Sequence, residues 1–261
     1  MNGQRSVAAG AADRPPTVVE FVGVPGVGKS TLAAGLVESL REDDVPVRTP
    51  VSDVNEVEPR SRRVPRKAAY VARYLLRRPT AAGWLRTFRR NPNASAHDVV
   101  RTGFNWLFVA GALRFRRVAG GVTVADQGLF QAYWSVVLGD PEPPADGVRR
   151  VFEAEFSEIH LVAVLVEADP DVIQRRLAAR ADNPSRVSVD AEADMDTASG
   201  NREDVGYSLE EAWTAYEHVT ESLSALEGEY PALSVVRCGN NKVDDIGRNV
   251  IAIRDALSGN G

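Results

Sequence analysis

The stretch Gly23-Val24-Pro25-Gly26-Val27-Gly28-Lys29-Ser30-Thr31 decides how this chain is read. It fits the pattern G-x-x-x-x-G-K-S/T at every position. Small residues let the backbone curl so that successive N–H groups point into one anion-sized hollow. A β-carbon at Gly28 would obstruct that close approach. The residues before it, Val18-Val19-Glu20-Phe21-Val22, read as a strand. Those after it, Leu32, Leu36, Val37 and Leu40, have helical spacing. The helix would therefore start at the loop and present its positive end there. Lys29 is expected to reach the β- and γ-phosphates of a nucleotide, and the Ser30 hydroxyl to ligate Mg2+.

Working outward, four more apolar runs look like strands: 45–49, 121–125, 159–166 and 233–237. They are continuous rather than alternating, as in a parallel sheet covered on both faces. Helical patterns separate them, which predicts an open α/β sheet. Asp126 ends the Val122-Thr123-Val124 run, where the second metal-side carboxylate of such a loop belongs. Helix boundaries are visible too. Asp169-Pro170 opens one helix, Ser208 and Glu211 form a capping box for another, and Asp244 is placed to cap the last.

Charge is uneven along the 261 residues. The chain carries 31 Lys+Arg against 36 Asp+Glu, net −5, yet residues 60–117 hold fifteen basic side chains and one acid, Asp98. That window is +14 and the rest of the chain −19. A 44% hydrophobic content with four Trp excludes a disordered chain. One cysteine, Cys238, excludes an intrachain disulfide framework and a cysteine-based zinc site. No apolar run is long enough for a membrane span, and residues 1–16 read as a disordered lead-in without a secretory signal. A cytoplasmic setting is expected. Residues 17–261 then form one domain, with a basic helical insert at 57–118 and a loop rich in acids at 182–204.

These motifs together resemble the P-loop nucleotide kinases, closest in layout to thymidylate kinase and the deoxynucleoside kinases. The resemblance covers residues 17 to 257. It rests on the loop at 23–31, on Asp126-Gln127-Gly128, and on Asp169-Pro170 followed by Arg175-Arg176-Leu177-Ala178-Ala179-Arg180 and Ser185-Arg186-Val187. It implies a three-layer P-loop NTPase fold with a five-stranded parallel sheet and a lid that closes over ATP. Arg176, Arg180 and Arg186 would neutralise the transferring phosphoryl group, and fixed cations there lower the barrier. The backbone at Cys238, Gly239 and Asn240 would border the adenine. Asp53 stands where deoxynucleoside kinases place an acidic base. The implied activity is Mg2+- and ATP-dependent phosphoryl transfer to a small or lipid-linked acceptor, and related kinases are often homodimers.

The sequence also departs from that family. Val22 replaces the acidic residue after the first strand, Gln127 the arginine after Asp126, and Arg48-Thr49-Pro50 is all that remains of an Arg-Glu-Pro-Gly run. The acceptor therefore need not be dTMP. Two other readings stay open: a nucleotide-binding ATPase or GTPase switch, and a membrane-surface module. Asn241-Lys242-Val243-Asp244 matches the guanine motif N-K-x-D, although only one helix follows it. The basic insert can bind an anionic acceptor, rest on an anionic membrane, or simply be solvated. Its Tyr70, Val71, Tyr74 and Leu75 have helical spacing, with Arg73, Arg77 and Arg78 between them. No nucleic-acid module is recognisable. His97, His160 and His218 lack metal-ligand spacing, and Trp106 and Phe108 read as core.

Overall fold

The computed structural model describes residues 16–84, 96–117, 120–179 and 207–258. Five parallel strands form one sheet in the order β2-β3-β1-β4-β5. They are β1 (Thr17–Val22), β2 (Val47–Arg48), β3 (Val122–Ala125), β4 (His160–Glu167) and β5 (Leu233–Gly239). β1 lies at the centre, with Thr17 paired to Val122 on one side and to His160 on the other. That position explains its apolar run, because both faces and both edges are covered. It also puts the loop after β1 at the carboxyl edge of the sheet where strand order reverses, the place where open α/β sheets bind ligands.

Helices cover both faces, so the three-layer P-loop fold expected from the sequence is present. α1 (Lys29–Glu42) and α8 (Asp245–Ser258) pack on each other, with Ile246 and Val250 seated over Gly35. Elsewhere lie α4 (Leu129–Val137), α5 (Gly147–Glu155) and α7 (Leu209–Glu227). The capping box read at the start of α7 is formed, with Ser208 Oγ accepting from Glu211 N at 3.1 Å. α6 (Pro170–Ala178) follows β4 and begins, as read, at Asp169-Pro170. No helix among the described residues is long and apolar enough to cross a membrane.

The basic insert contributes α2 (Arg60–Arg77) and α3 (Ala96–Phe115). Gly111 lets α3 approach the Tyr70 carbonyl, and Tyr70 meets Phe108 edge to face at 5.9 Å. Trp106 and Phe108 are core, as their spacing predicted. The pair is tied to the body through a buried polar knot. Tyr74 Oη donates to Glu155 Oε1, and Arg78 Nη1 donates to the Ala154 carbonyl at 2.7 Å.

Two local readings need correction. The second strand is two residues long rather than five, because prolines bracket it. Pro46 has no N–H and contributes only its carbonyl, which accepts from Val122 N at 2.9 Å, while Pro50 opens a helical turn. The carboxylate at the last helix is Asp245, not Asp244: its Oδ2 accepts from Asn241 N at 2.9 Å and Lys242 N at 2.8 Å. Residues 1–15 of the lead-in read over 1–16, and the acidic loop at 182–204, lie outside the described residues.

Candidate phosphate-binding site

The glycine-rich loop joins β1 to α1, and its curvature rests on left-handed glycines. Gly26 has φ +90° and Gly28 φ +96°, a region that disfavours any L side chain. The loop is also shaped from outside by three other segments. Gln131 of α4 accepts from Gly23 N at 3.0 Å. Asn240, just after β5, donates through Nδ2 to the Val27 carbonyl at 2.6 Å. Ile173 and Leu177 of α6 close over Gly26. The result is a cavity of about 220 Å3 lined by Gly26, Gly28, Lys29, Ser30, Gln127 and Gln131. Thr31 follows Ser30 into the first turn of α1 and is exposed, while Val27 is fully buried.

The predicted loop residues and Asp126 come together. Ser30 Oγ donates to Asp126 Oδ2 at 3.2 Å, and Asp126 is only 6% exposed. Lys29 Nζ donates to the carbonyls of Gly23 at 2.6 Å and Val24 at 3.1 Å, which keeps the ammonium against the loop. Arg176 also reaches the loop. Its Nη1 donates to the carbonyls of Val27 at 3.1 Å and Gly26 at 3.4 Å, so it does not pair with Glu167 or Asp171. Glu167 instead meets Arg237. Arg180 and Arg186 lie outside the described residues.

The residue types suit a metal–nucleotide complex. The Ser30 hydroxyl and Asp126 carboxylate are hard oxygen donors. Such a pair fits Mg2+, which keeps several waters and completes its shell with phosphate oxygens. Among the described residues no cluster of three or more His, Cys, Asp or Glu offers a rival metal site.

Several predicted positions lie in contacts of their own. Asp53 is exposed and its Oδ1 accepts from Thr49 Oγ1 at 2.8 Å. The member of that turn that reaches Asp126 is its neighbour Ser52, whose Oγ donates to Asp126 Oδ1 at 2.8 Å. Asn240 stands at the loop itself. Gly239 closes β5, and its carbonyl accepts from Asn249 Nδ2 at 2.8 Å. Cys238 is buried, and burial pushes its thiol up to about 11, which leaves it unreactive. The N-K-x-D match is spent on structure. Asn241 Oδ1 accepts from Asp169 N at 2.7 Å, and Asp244 is exposed. His160 Nε2 contacts Ser234 Oγ at 3.3 Å, away from the loop.

Sequence reasoning passed over Glu20. This fully buried acid sits in β1 and its Oε1 accepts from the backbone N–H groups of Phe130 and Gln131 at the start of α4. It thereby fixes the helix that carries Gln131 to the loop. Burial pushes the carboxyl up to about 7, against the backbone N–H groups that favour its ionised form. Gly128 is required beside it, because a Cβ there would stand 2.1 Å from Glu20 Cδ. The signal was present as a lone acid inside an apolar strand.

A phosphate loop with a serine–carboxylate pair at the carboxyl edge of a parallel sheet defines a P-loop nucleotide-binding domain. The comparison with family models agrees: the model described as an AAA domain matches residues 18–200, and the chain belongs to that family. Among curated proteins nothing matches the chain.

Proposed function

We propose that this nucleotide-binding domain is a phosphotransferase of the nucleotide-kinase type, using ATP and Mg2+ to phosphorylate a small or lipid-linked acceptor. The observation that carries the reading is Arg176. It brings a cation from α6 across to the loop, beside Gly28 and at the head of the segment that resembles a kinase lid. Phosphoryl transfer spreads negative charge over the equatorial oxygens, and a guanidinium held beside Gly28 answers that charge. Lys29 would leave its loop carbonyls for the β- and γ-phosphates. Ser30 and Asp126 would hold the metal, with Ser52 fixing the second oxygen of Asp126. Bound there, Mg2+ neutralises charge on the phosphate oxygens. Arg180 and Arg186 are proposed to join Arg176 by their place in the sequence. Asp53 is proposed as the carboxylate that takes the acceptor's proton. The backbone at Cys238, Gly239 and Asn240 is proposed to border the adenine.

The test is a panel of nucleosides, nucleotides, sugars, polyprenols and aminoglycosides, read by ADP release with Mg2+-ATP. One acceptor class should stimulate ADP formation, and folded Lys29→Ala protein should lose it. Transfer at the normal rate by Lys29→Ala defeats the mechanism. Acceptor-independent hydrolysis, or a strong preference for GTP, favours a switch instead.

A further inference from the structure

The insert shapes a second concavity that the phosphate loop does not use. It is a groove of about 560 Å3 whose walls include Arg48, Arg66, Tyr70, Arg73, Arg116 and Arg117. It lies along the open edge of the sheet. β2 is the edge strand, with Val47 paired to Val122 and Arg48 to Thr123, whereas Asp126 is three residues further along. At about 3.3 Å per residue, that places Asp126 about 10 Å away along the strand direction. An anion seated on the edge is therefore separate from one held by the P-loop.

The arginines of this groove are only partly neutralised by the described residues. Arg66 pairs with Glu58. Arg116 Nε donates to Tyr70 Oη at 3.0 Å and feels the charge of Asp53. Arg117 Nη2 is held by the Glu155 carbonyl at 2.7 Å. Arg48 has no hydrogen-bond or ion-pair partner among the described residues. Arg73 lies with its guanidinium carbon 4.2 Å from the Phe115 ring centroid, and no carboxylate among the described residues pairs with it. Five guanidinium groups around one hollow repel one another, which favours a multivalent anion between them. Their forks match phosphate oxygens in pairs. Tyr70 and Phe115 hold Arg116 and Arg73 in place, so less side-chain entropy is lost when an anion arrives.

We propose that this edge groove is a second anion site, distinct from the P-loop, for a ligand carrying two or more phosphate groups. The phosphates can belong to a soluble ester or to a lipid headgroup. The site stands whether or not the chain transfers phosphoryl groups.

Calorimetric titration with inorganic pyrophosphate separates the two sites. Wild type, Lys29→Ala and the double variant Arg48→Ala/Arg73→Ala are compared, with circular dichroism as the folding control. Both arginines are exposed, so the fold should survive their truncation. Lys29→Ala should keep a pyrophosphate site that weakens with added salt. In the arginine variant that binding should fall by about tenfold or more, the equivalent of one lost charge-assisted contact. Arg48→Lys/Arg73→Lys should fall in between. Co-sedimentation with phosphatidylcholine vesicles, with and without phosphatidylinositol bisphosphate, assigns the source. Capture that depends on Arg48 and Arg73 marks a headgroup, and pyrophosphate binding without capture marks a soluble ester. Pyrophosphate binding that vanishes in Lys29→Ala and is untouched in the arginine variant overturns the proposal, as does no binding in either assay.

Discussion

Replacing Gly28 by alanine tests how the phosphate loop is held. Gly28 has φ +96°, and a Cβ there would stand 2.2 Å from Asn240 Nδ2. Asn240 cannot swing aside cheaply. Its backbone N donates to the Glu167 carbonyl at 2.8 Å, and its buried side chain donates to the Val27 carbonyl at 2.6 Å. A left-handed backbone costs alanine about 1–2 kcal/mol. Losing the Asn240–Val27 hydrogen bond adds about 1 kcal/mol. Gly28→Ala should therefore cost about 2–3 kcal/mol, all of it in the loop. If the loop relaxes instead, its N–H groups leave their register and nucleotide affinity falls by about 30- to 150-fold. Urea unfolding and titration with a fluorescent nucleotide read the two outcomes. Asn240→Ala alone should cost only about 1 kcal/mol, because Arg176 still donates to the Val27 carbonyl at 3.1 Å. In Gly28→Ala/Asn240→Ala the clash disappears and the hydrogen bond is lost once. The double variant should thus be less destabilised than the sum of the singles, by about 1 kcal/mol. Additive effects, or a Gly28→Ala protein with wild-type stability and affinity, would refute this reasoning.

Glu20 gives a pH prediction. Its carboxyl is raised from 4.5 to about 7 in the folded chain, so the native state binds the extra proton between those values. Its contribution is greatest below about pH 4.5 and is lost as pH rises through 7, about 3 kcal/mol in all. The stability difference between wild type and Glu20→Gln should trace that curve in urea unfolding at stepped pH, and a flat difference would count against it. Tyr74→Phe should destabilise by about 2 kcal/mol, because Glu155 then keeps Arg78 at 3.5 Å and the charges of Arg114 and Arg117, but its buried Oε2 makes no hydrogen bond among the described residues. A loss under about 0.5 kcal/mol would mean that the knot holding the insert is dispensable. Ser52→Ala frees one oxygen of Asp126, and the Mg2+ concentration for half-maximal nucleotide binding should rise about fivefold while metal-free binding is unchanged. An unshifted Mg2+ curve would separate Ser52 from the metal side.

What was legible in the sequence was local. The phosphate loop is nine consecutive residues, and its strand and helix flank it directly, so spacing alone carried them. Asp126 could be placed because a strand end is also a local feature. Ser52 could not, since its bond to Asp126 joins residues 74 apart and depends on a turn that Pro50 opens. Gln131 reaches Gly23 across 108 positions, and Asn240 reaches Val27 across 213. Such contacts are set by the order in which strands pair, which a periodicity does not encode. Glu20 was visible but was absorbed into an apolar run. An acid in a central strand needs donors, and the start of α4 supplies them. The N-K-x-D match shows the converse, a local pattern whose asparagine is spent on Asp169.

The long-range ties share one purpose. Each grips the loop from another segment of the chain: Gln131 at Gly23, Asn240 and Arg176 at Val27, Ile173 and Leu177 at Gly26. The loop is therefore curved before any phosphate arrives, and binding need not supply that ordering. Lys29 is different. It donates to the Gly23 and Val24 carbonyls, neutral acceptors that a phosphate oxygen outcompetes through charge. The geometry of the hollow is thus held by groups that need not move, and its charge by one that must. Arg176 belongs to both sets, because its guanidinium grips Val27 while standing close to Gly28. An incoming phosphate would compete for it, which would tie nucleotide binding to the position of α6.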